Sequence, residues 1–171
     1  MDIQQIRNEI VQRLHQHTEK PVVMLEHNRE KPPYPFVAYQ ITTPYAKGLG
    51  MSVKTDKTVP SDSEEFDFDV KETLTDQPKI TISFTAYSKD SVEAMELAIK
   101  VRDWFLLGGY RDFKSIDVVV EEIQGIENRD TLIVDDYERR AGFDVILRTT
   151  HETNRIIEGI ESYKQEGEVK K

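Results

Sequence analysis

Apolar residues fall at Ile3, Ile6, Ile10 and Leu14 behind Asp2, a residue suited to capping a helix N-terminus. That spacing predicts an amphipathic helix over residues 2–18, stopped by Pro21. The next stretch, PVVMLEHNREKPPYPFVAYQITTPY, reads as a short buried strand (Val22, Val23, Met24, Leu25), a polar turn, a corner at Pro32, Pro33, Tyr34 and Pro35, and a strand over 36–42. Each proline fixes φ near −65° and pushes the preceding residue into extended backbone, so the corner is rigid. Proline also donates no ladder hydrogen bond, which puts this end of the strand at a sheet edge or ahead of the first pairing. Residues 44–63 carry glycines and prolines without a sustained period and are too long and polar for a hairpin turn, so they read as a mobile loop or a binding arm.

Strict alternation follows. Phe66, Phe68 and Val70 share one face and Asp67, Asp69 and Lys71 the other. Past a turn near Asp76, Ile80, Ile82, Phe84 and Ala86 alternate with Thr81, Ser83, Thr85 and Tyr87, and the two runs are expected to pair antiparallel with one wet face. Asp90 with Glu93 makes an acidic capping box for a helix over 91–107, with an apolar stripe of Val92, Met95, Ala98, Ile99, Phe105 and Leu106. Gly108 and Gly109 supply its expected left-handed C-cap. Strands are expected over 116–123, 132–134 and 141–150, with a turn over 128–131. Strands joined by short turns outnumber helices, which predicts an α+β fold: a mainly antiparallel sheet, two helices on one face, a long loop at 44–63 and a C-terminal extension. Residues 1–151 are expected as a single domain and 152–171 as the extension, whose Ile156, Ile157 and Ile160 have no obvious place in its core. They are the apolar members of a frayed tail, or they dock on a neighbouring subunit by strand addition.

The 171 residues suffice for one domain with a real core. Hydrophobic residues make up 37% and charged residues 32%, at a mean hydropathy of −0.58, which predicts a soluble protein with extended polar segments. The N-terminus lacks the basic start and apolar run of a signal peptide, no run of eighteen apolar residues occurs, and no membrane association is expected. With no cysteine there is no disulfide or thiol chemistry. Acidic residues outnumber basic ones 32 to 23, for a formal charge of −9, the wrong sign for a protein that grips phosphates by counterion release.

No catalytic constellation emerges. His15, His17, His27 and His151 lack the spacing of a zinc site. The acidic pairs Asp67 with Asp69, Glu121 with Glu122, and Asp135 with Asp136 are cation candidates, but solvated strand faces explain them better because no calcium-loop glycine is present. Ser61 and Ser63 have no nucleophile elbow, and Gly48 and Gly50 are not followed by the lysine and hydroxyl of a phosphate loop. Arg139 and Arg140, after Tyr137, suit a phosphate, a carboxylate or an intersubunit ion pair. No cofactor is expected.

In their order along the chain, the segment from Pro21 to Pro44, the helix ending WFLLGGY (Trp104 to Tyr110) and the closing run RAGFDVILRTT (Arg140 to Thr150) resemble the tail or neck terminator proteins of tailed bacteriophages and related prophages. The resemblance implies a non-enzymatic virion protein of the tail–neck region, assembled in the host cytoplasm. It would form a hexameric ring that caps the tail tube, terminates its polymerisation and joins it to the head connector or neck protein. Tyr45, Leu49, Met51, Val53, Ile156, Ile157 and Ile160 are then the expected interface side chains. If DNA passes through the ring unbound, an acidic wall repels its backbone, and Asp67, Asp69, Glu121 and Asp144 on polar strand faces are the expected lining. The competing reading is a small cytoplasmic α+β ligand-binding or accessory domain, weakly metal-dependent through the acidic pairs.

Overall fold

A computed structural model describes residues 1–25, 30–62, 67–133 and 136–158. Its contacts divide the chain into two compact units, Met1–Leu49 with Gln77–Thr150, and Gly50–Asp76 with His151–Lys171. The fold is α+β with mainly antiparallel sheets.

In the first unit, helix α1 (Ile3–Thr18) begins where the Asp2 carboxylate accepts a hydrogen bond from the Gln5 amide at 3.0 Å, and it ends on Glu19 in the left-handed region (φ 58°). Strands β1 (Val22–Met24), β2 (Phe36–Ala46), β5 (Lys79–Ser88), β9 (Asp136–Thr149) and β6 (Val118–Ile123) lie side by side in the order β1-β2-β5-β9-β6. Pairing in this sheet is antiparallel except between β1 and β2. β7 (Glu127–Asn128) and β8 (Thr131–Ile133) continue along the β9 edge that β6 occupies, so that long strand is paired on both sides. The Tyr34–Pro35 bond is cis, and the proline corner precedes the first β2–β5 pair, Phe36 with Tyr87. β1 is an edge strand with Val22 and Val23 only half-buried and Met24 exposed, contrary to the expected buried strand, because it has a neighbour on one side alone.

Ile6, Ile10 and Leu14 of α1, Ala94, Leu97, Ala98 and Val101 of α2 (Ser91–Asp103), and Ile80, Ile82, Phe84, Phe143, Val145 and Leu147 of the sheet bury in one cluster, which places both helices on one face. The predicted double-glycine C-cap is absent. A π-helical turn over Trp104–Gly108 carries α2 into a short helix α3 (Gly109–Lys114), with ordinary helical φ of −82° and −66° at the two glycines. Their role is spatial: a Cβ on Gly108 would lie 2.8 Å from the Trp104 ring, and one on Gly109 2.7 Å from Phe113. The glycines thus admit an aromatic cluster in which Phe105 contacts Phe84 (centroids 5.0 Å), Trp104 (4.8 Å) and Phe113 (6.0 Å).

The second unit is a three-stranded antiparallel sheet ordered β10-β4-β3, from β3 (Val53–Pro60), β4 (Phe68–Asp76) and β10 (His151–Glu158). The expected hairpin between the alternating runs 66–71 and 80–87 does not form: β4 pairs with β3 and β10, whereas β5 pairs with β2 and β9. Alternation reveals that a strand has one wet face but not which strand it joins. A strand likewise occupies the middle of the segment read as a loop or arm.

Gly142 on β9 opposes Thr85 on β5, and a Cβ there would meet the Phe84 carbonyl oxygen at 2.6 Å and both the Arg129 guanidinium and the Thr85 hydroxyl at 2.9 Å. The carbonyl belongs to a paired strand and cannot retreat. Gly142→Ala should therefore lower unfolding stability by about 1–3 kcal/mol through overpacking, whereas Gly50→Ala, with nothing within 4 Å of its Cβ position, should stay within about 0.5 kcal/mol of the parent. Urea unfolding of the two variants checks the contrast.

Candidate assembly surfaces

The sheet face of the first unit opposite the helices is laced with paired charges. At one end the Glu138 side chain, only 3% exposed, accepts hydrogen bonds from the Tyr34 hydroxyl and from Arg140 (Nε at 2.7 Å) and forms an ion pair with Lys31. Phe36 and Tyr87 stack beneath (centroids 4.7 Å, planes 7° apart), and Arg140 lies 5.0 Å from the Tyr87 ring centre. Burial pushes the Tyr87 hydroxyl above its ordinary pKa. Asp130 accepts from the Arg140 amide at 2.7 Å and from Arg139 at 3.1 Å, and its carboxyl is held below the ordinary value, first by the backbone donor. A buried carboxylate needs this many donors, since removing its partners would leave an uncompensated charge.

In the middle of that face Arg129 spans the gap left by Gly142, donating to the Ser83 hydroxyl at 2.7 Å and to Asp144 at 3.0 Å. At the far end Glu121 pairs with Lys79 at 2.6 Å, with Arg148 at 3.9 Å. Two of the four expected channel-lining acids, Glu121 and Asp144, are therefore balanced by cations of their own chain. The run from Arg139 to Asp144 carries a physical logic that spacing could not show: the arginines saturate Asp130 and Glu138, and the glycine admits Arg129 to Asp144.

Beside β6, whose outer edge has no strand partner among the described residues, runs a groove of about 580 Å³. Phe105, Leu106, Phe113, Val118, Val120 and Ile123 contribute its apolar wall. Leu106 also continues an outward apolar stripe of α2, Val92 (60% exposed), Met95 and Ile99, with the neighbouring Leu107 85% exposed. The sequence pattern grouped Val92, Met95, Ala98, Ile99, Phe105 and Leu106 in one stripe, but of these only Ala98 and Phe105 are buried, because the helix has two apolar faces. The one formed by Ala94, Leu97, Ala98 and Val101 took the sheet, because small residues let helix and sheet approach closely.

In the second unit, cross-strand register sorts the side chains. One face carries Phe68, Val70, Leu74 and Ile157 around a row of Asp56, Glu72 and Arg155. Glu72 accepts from Arg155 and Lys54, and its carboxyl is held below its ordinary 4.5, first by the Arg155 hydrogen bond and then by Lys54. The other face carries Thr55, Thr73 and Asn154 at one level, with Thr73 donating to Asn154 at 2.7 Å, and Val59, Asp69 and Glu158 at another. Asp69 is buried with its Oδ1 unpartnered, and Asp67, outside the strand, is exposed.

Among the described residues the hydrophobic clusters draw every member from the first unit. All the described interface candidates are at the surface: Leu49 is 95% and Met51 93% exposed, Ile156 64%, and Tyr45, Val53 and Ile157 are also exposed. Ile160 lies outside the described residues, as do His27, Ser63, Phe66, Val134 and Asp135. His15 Nδ1 is hydrogen-bonded to the Lys20 carbonyl oxygen at 2.8 Å. No group of three or more potential metal-ligating side chains occurs among the described residues, and no helix there is long and apolar enough to cross a membrane.

A family model described as phage neck terminator protein matches residues 8–171. The chain belongs to the phage neck terminator family. No curated protein matches it. The family is structural, and it sets the chain among the tail and neck components of a phage virion.

The Glu72 geometry yields a titration order. Its depressed folded pKa means that the pairing contributes stability above the unfolded value, and that this contribution is lost as pH falls through 4.5 and below. Carboxyl NMR should place its midpoint under 4.5. Arg155→Ala should raise that midpoint more than Lys54→Ala does, since Arg155 is the stronger donor.

Proposed function

We propose that this chain assembles into a closed ring, a hexamer, that caps the phage tail tube, ends its polymerisation and joins it to the head connector or neck protein. The observation that carries this reading is the second unit. Val53, Leu74, Ile156 and Ile157 are exposed on three strands that bury no cluster among the described residues, and such a sheet gains too little from burial to offset its ordering entropy alone. Family membership supplies the context. A cap on a cyclic tube matches its symmetry, and head-to-tail contacts that close give a ring whereas non-closing ones give a filament. The exposed α2 stripe, the β6 groove and the Leu49 to Met51 segment supply further unlike surfaces for such contacts and for the tail tube and connector.

DNA passes through the ring without being bound, in keeping with the net charge of −9. Of the two acids in the second unit, Asp67 is exposed and is the candidate kept for the repelling wall, whereas Asp69 is buried.

Light scattering of the purified protein should show an oligomer at tens of micromolar, and negative-stain microscopy should show rings. Deleting residues 156–171 should leave the unfolding transition of the first unit in place while reducing assembly. A strictly monomeric mass, with monomers also in assembled particles, contradicts the reading. In assembled virions, Asp67→Lys should slow DNA release while rings still form, and unchanged release would remove this side chain from the wall.

A further inference from the structure

The three-stranded sheet ends in two edges, the outer sides of β3 and β10, and neither has a strand partner among the described residues. Both strands run antiparallel to β4, so they run parallel to each other. A second copy in the same orientation therefore brings its β10 alongside the first copy's β3, and each new copy leaves one edge of each kind for the next. The side chains fit this repeat. Register places Asp56 of β3, Glu72 of β4 and Arg155 of β10 on one level and one face. Continued into the next copy without a shift, the row reads Arg155, Glu72, Asp56 and then the next Arg155, so the two acids lie between arginines and opposite charges, Asp56 and Arg155, meet across the junction. Among the described residues, the ion pair of Asp56 within one chain is with Lys54, at 3.9 Å. The β3 edge carries Lys54, Lys57 and one acid, and the β10 edge carries Glu152, Glu158 and one arginine, so the edges are opposite in net sign.

Resting on the ring reading above, we propose that neighbouring copies join through these sheets, β3 of one pairing in parallel with β10 of the next, with Asp56 against Arg155 across each junction. The occupant of each free edge is a second copy of this chain. The pairing satisfies backbone groups that an open edge leaves to water, and it uses both edges, as a head-to-tail ring requires.

The chain has no cysteine, which makes the test direct. Thr55 and Asn154 sit level on either side of Thr73, two strand spacings or about 10 Å apart within one copy, beyond the ~7 Å Cα reach of a disulfide. Under mild oxidation the full-length double variant Thr55→Cys with Asn154→Cys should give a ladder of covalent oligomers on denaturing gels, while each single variant stays monomeric. Thr58→Cys with Ile157→Cys, level through Val70 on the other face, provides a second pair should the first not fold. Asp56→Arg should abolish the ladder, because it sets arginine against arginine.

A dimer from Thr55→Cys alone indicates two-fold β3–β3 pairing and overturns the proposal. Oligomers seen by light scattering with no ladder from either pair overturn the edge pairing while leaving the ring reading intact. A protein that is monomeric by scattering and within virions overturns both.

Discussion

The architecture depends on satisfying β9. Fourteen residues of extended backbone expose donors and acceptors on both edges, and the fold meets them with β5 along one side and with β6, β7 and β8 in succession along the other. Its faces divide the remaining work. Phe143, Val145 and Leu147 meet the helices, while Glu138, Arg140, Gly142 and Asp144 build the charge lattice on the reverse side. A substitution in the run from Arg139 to Asp144 therefore disturbs pairing, packing and ion pairs together.

Much of this was legible in the chain because local signals and burial agreed. Asp2 and Asp90 cap their helices, and the α1 stripe and the β5 alternation bury as the pattern requires. The failures share a cause: each turned on what a segment touches, which period alone does not encode. The pattern put Ala98 in one stripe with Val92, Met95 and Ile99, but Ala98 buries against the sheet with Ala94, Leu97 and Val101 while the other three are exposed. The glycines at 108 and 109 were read through backbone conformation, whereas they serve by leaving room for Trp104 and Phe113.

The candidate surface was partly visible for a related reason. Ile156 and Ile157 stood out as apolar residues with no obvious place in a core, Leu49 and Met51 were expected at an interface from the resemblance, and all four are exposed. Invisible in the sequence was that residues 53–60 and 151–158 are strands held by a shared partner, β4, because the pattern of a single strand does not name its partner, and for β10 that partner lies about 80 residues away. The expected acidic wall was read from the polar face of a strand, and that reading could not foresee that Arg129 and Lys79 would return to neutralise Asp144 and Glu121.

In the proposed assembly the three-stranded sheet gains its stability from neighbouring copies. Amide hydrogen exchange, compared between the isolated subunit and the assembled particle, tests it most directly. β5 and β9 should be protected in both states, and β3, β4 and β10 should exchange rapidly in the free subunit and become protected on assembly. Strong protection of all three strands in an isolated monomer would show that the sheet stands without a partner, and would contradict it.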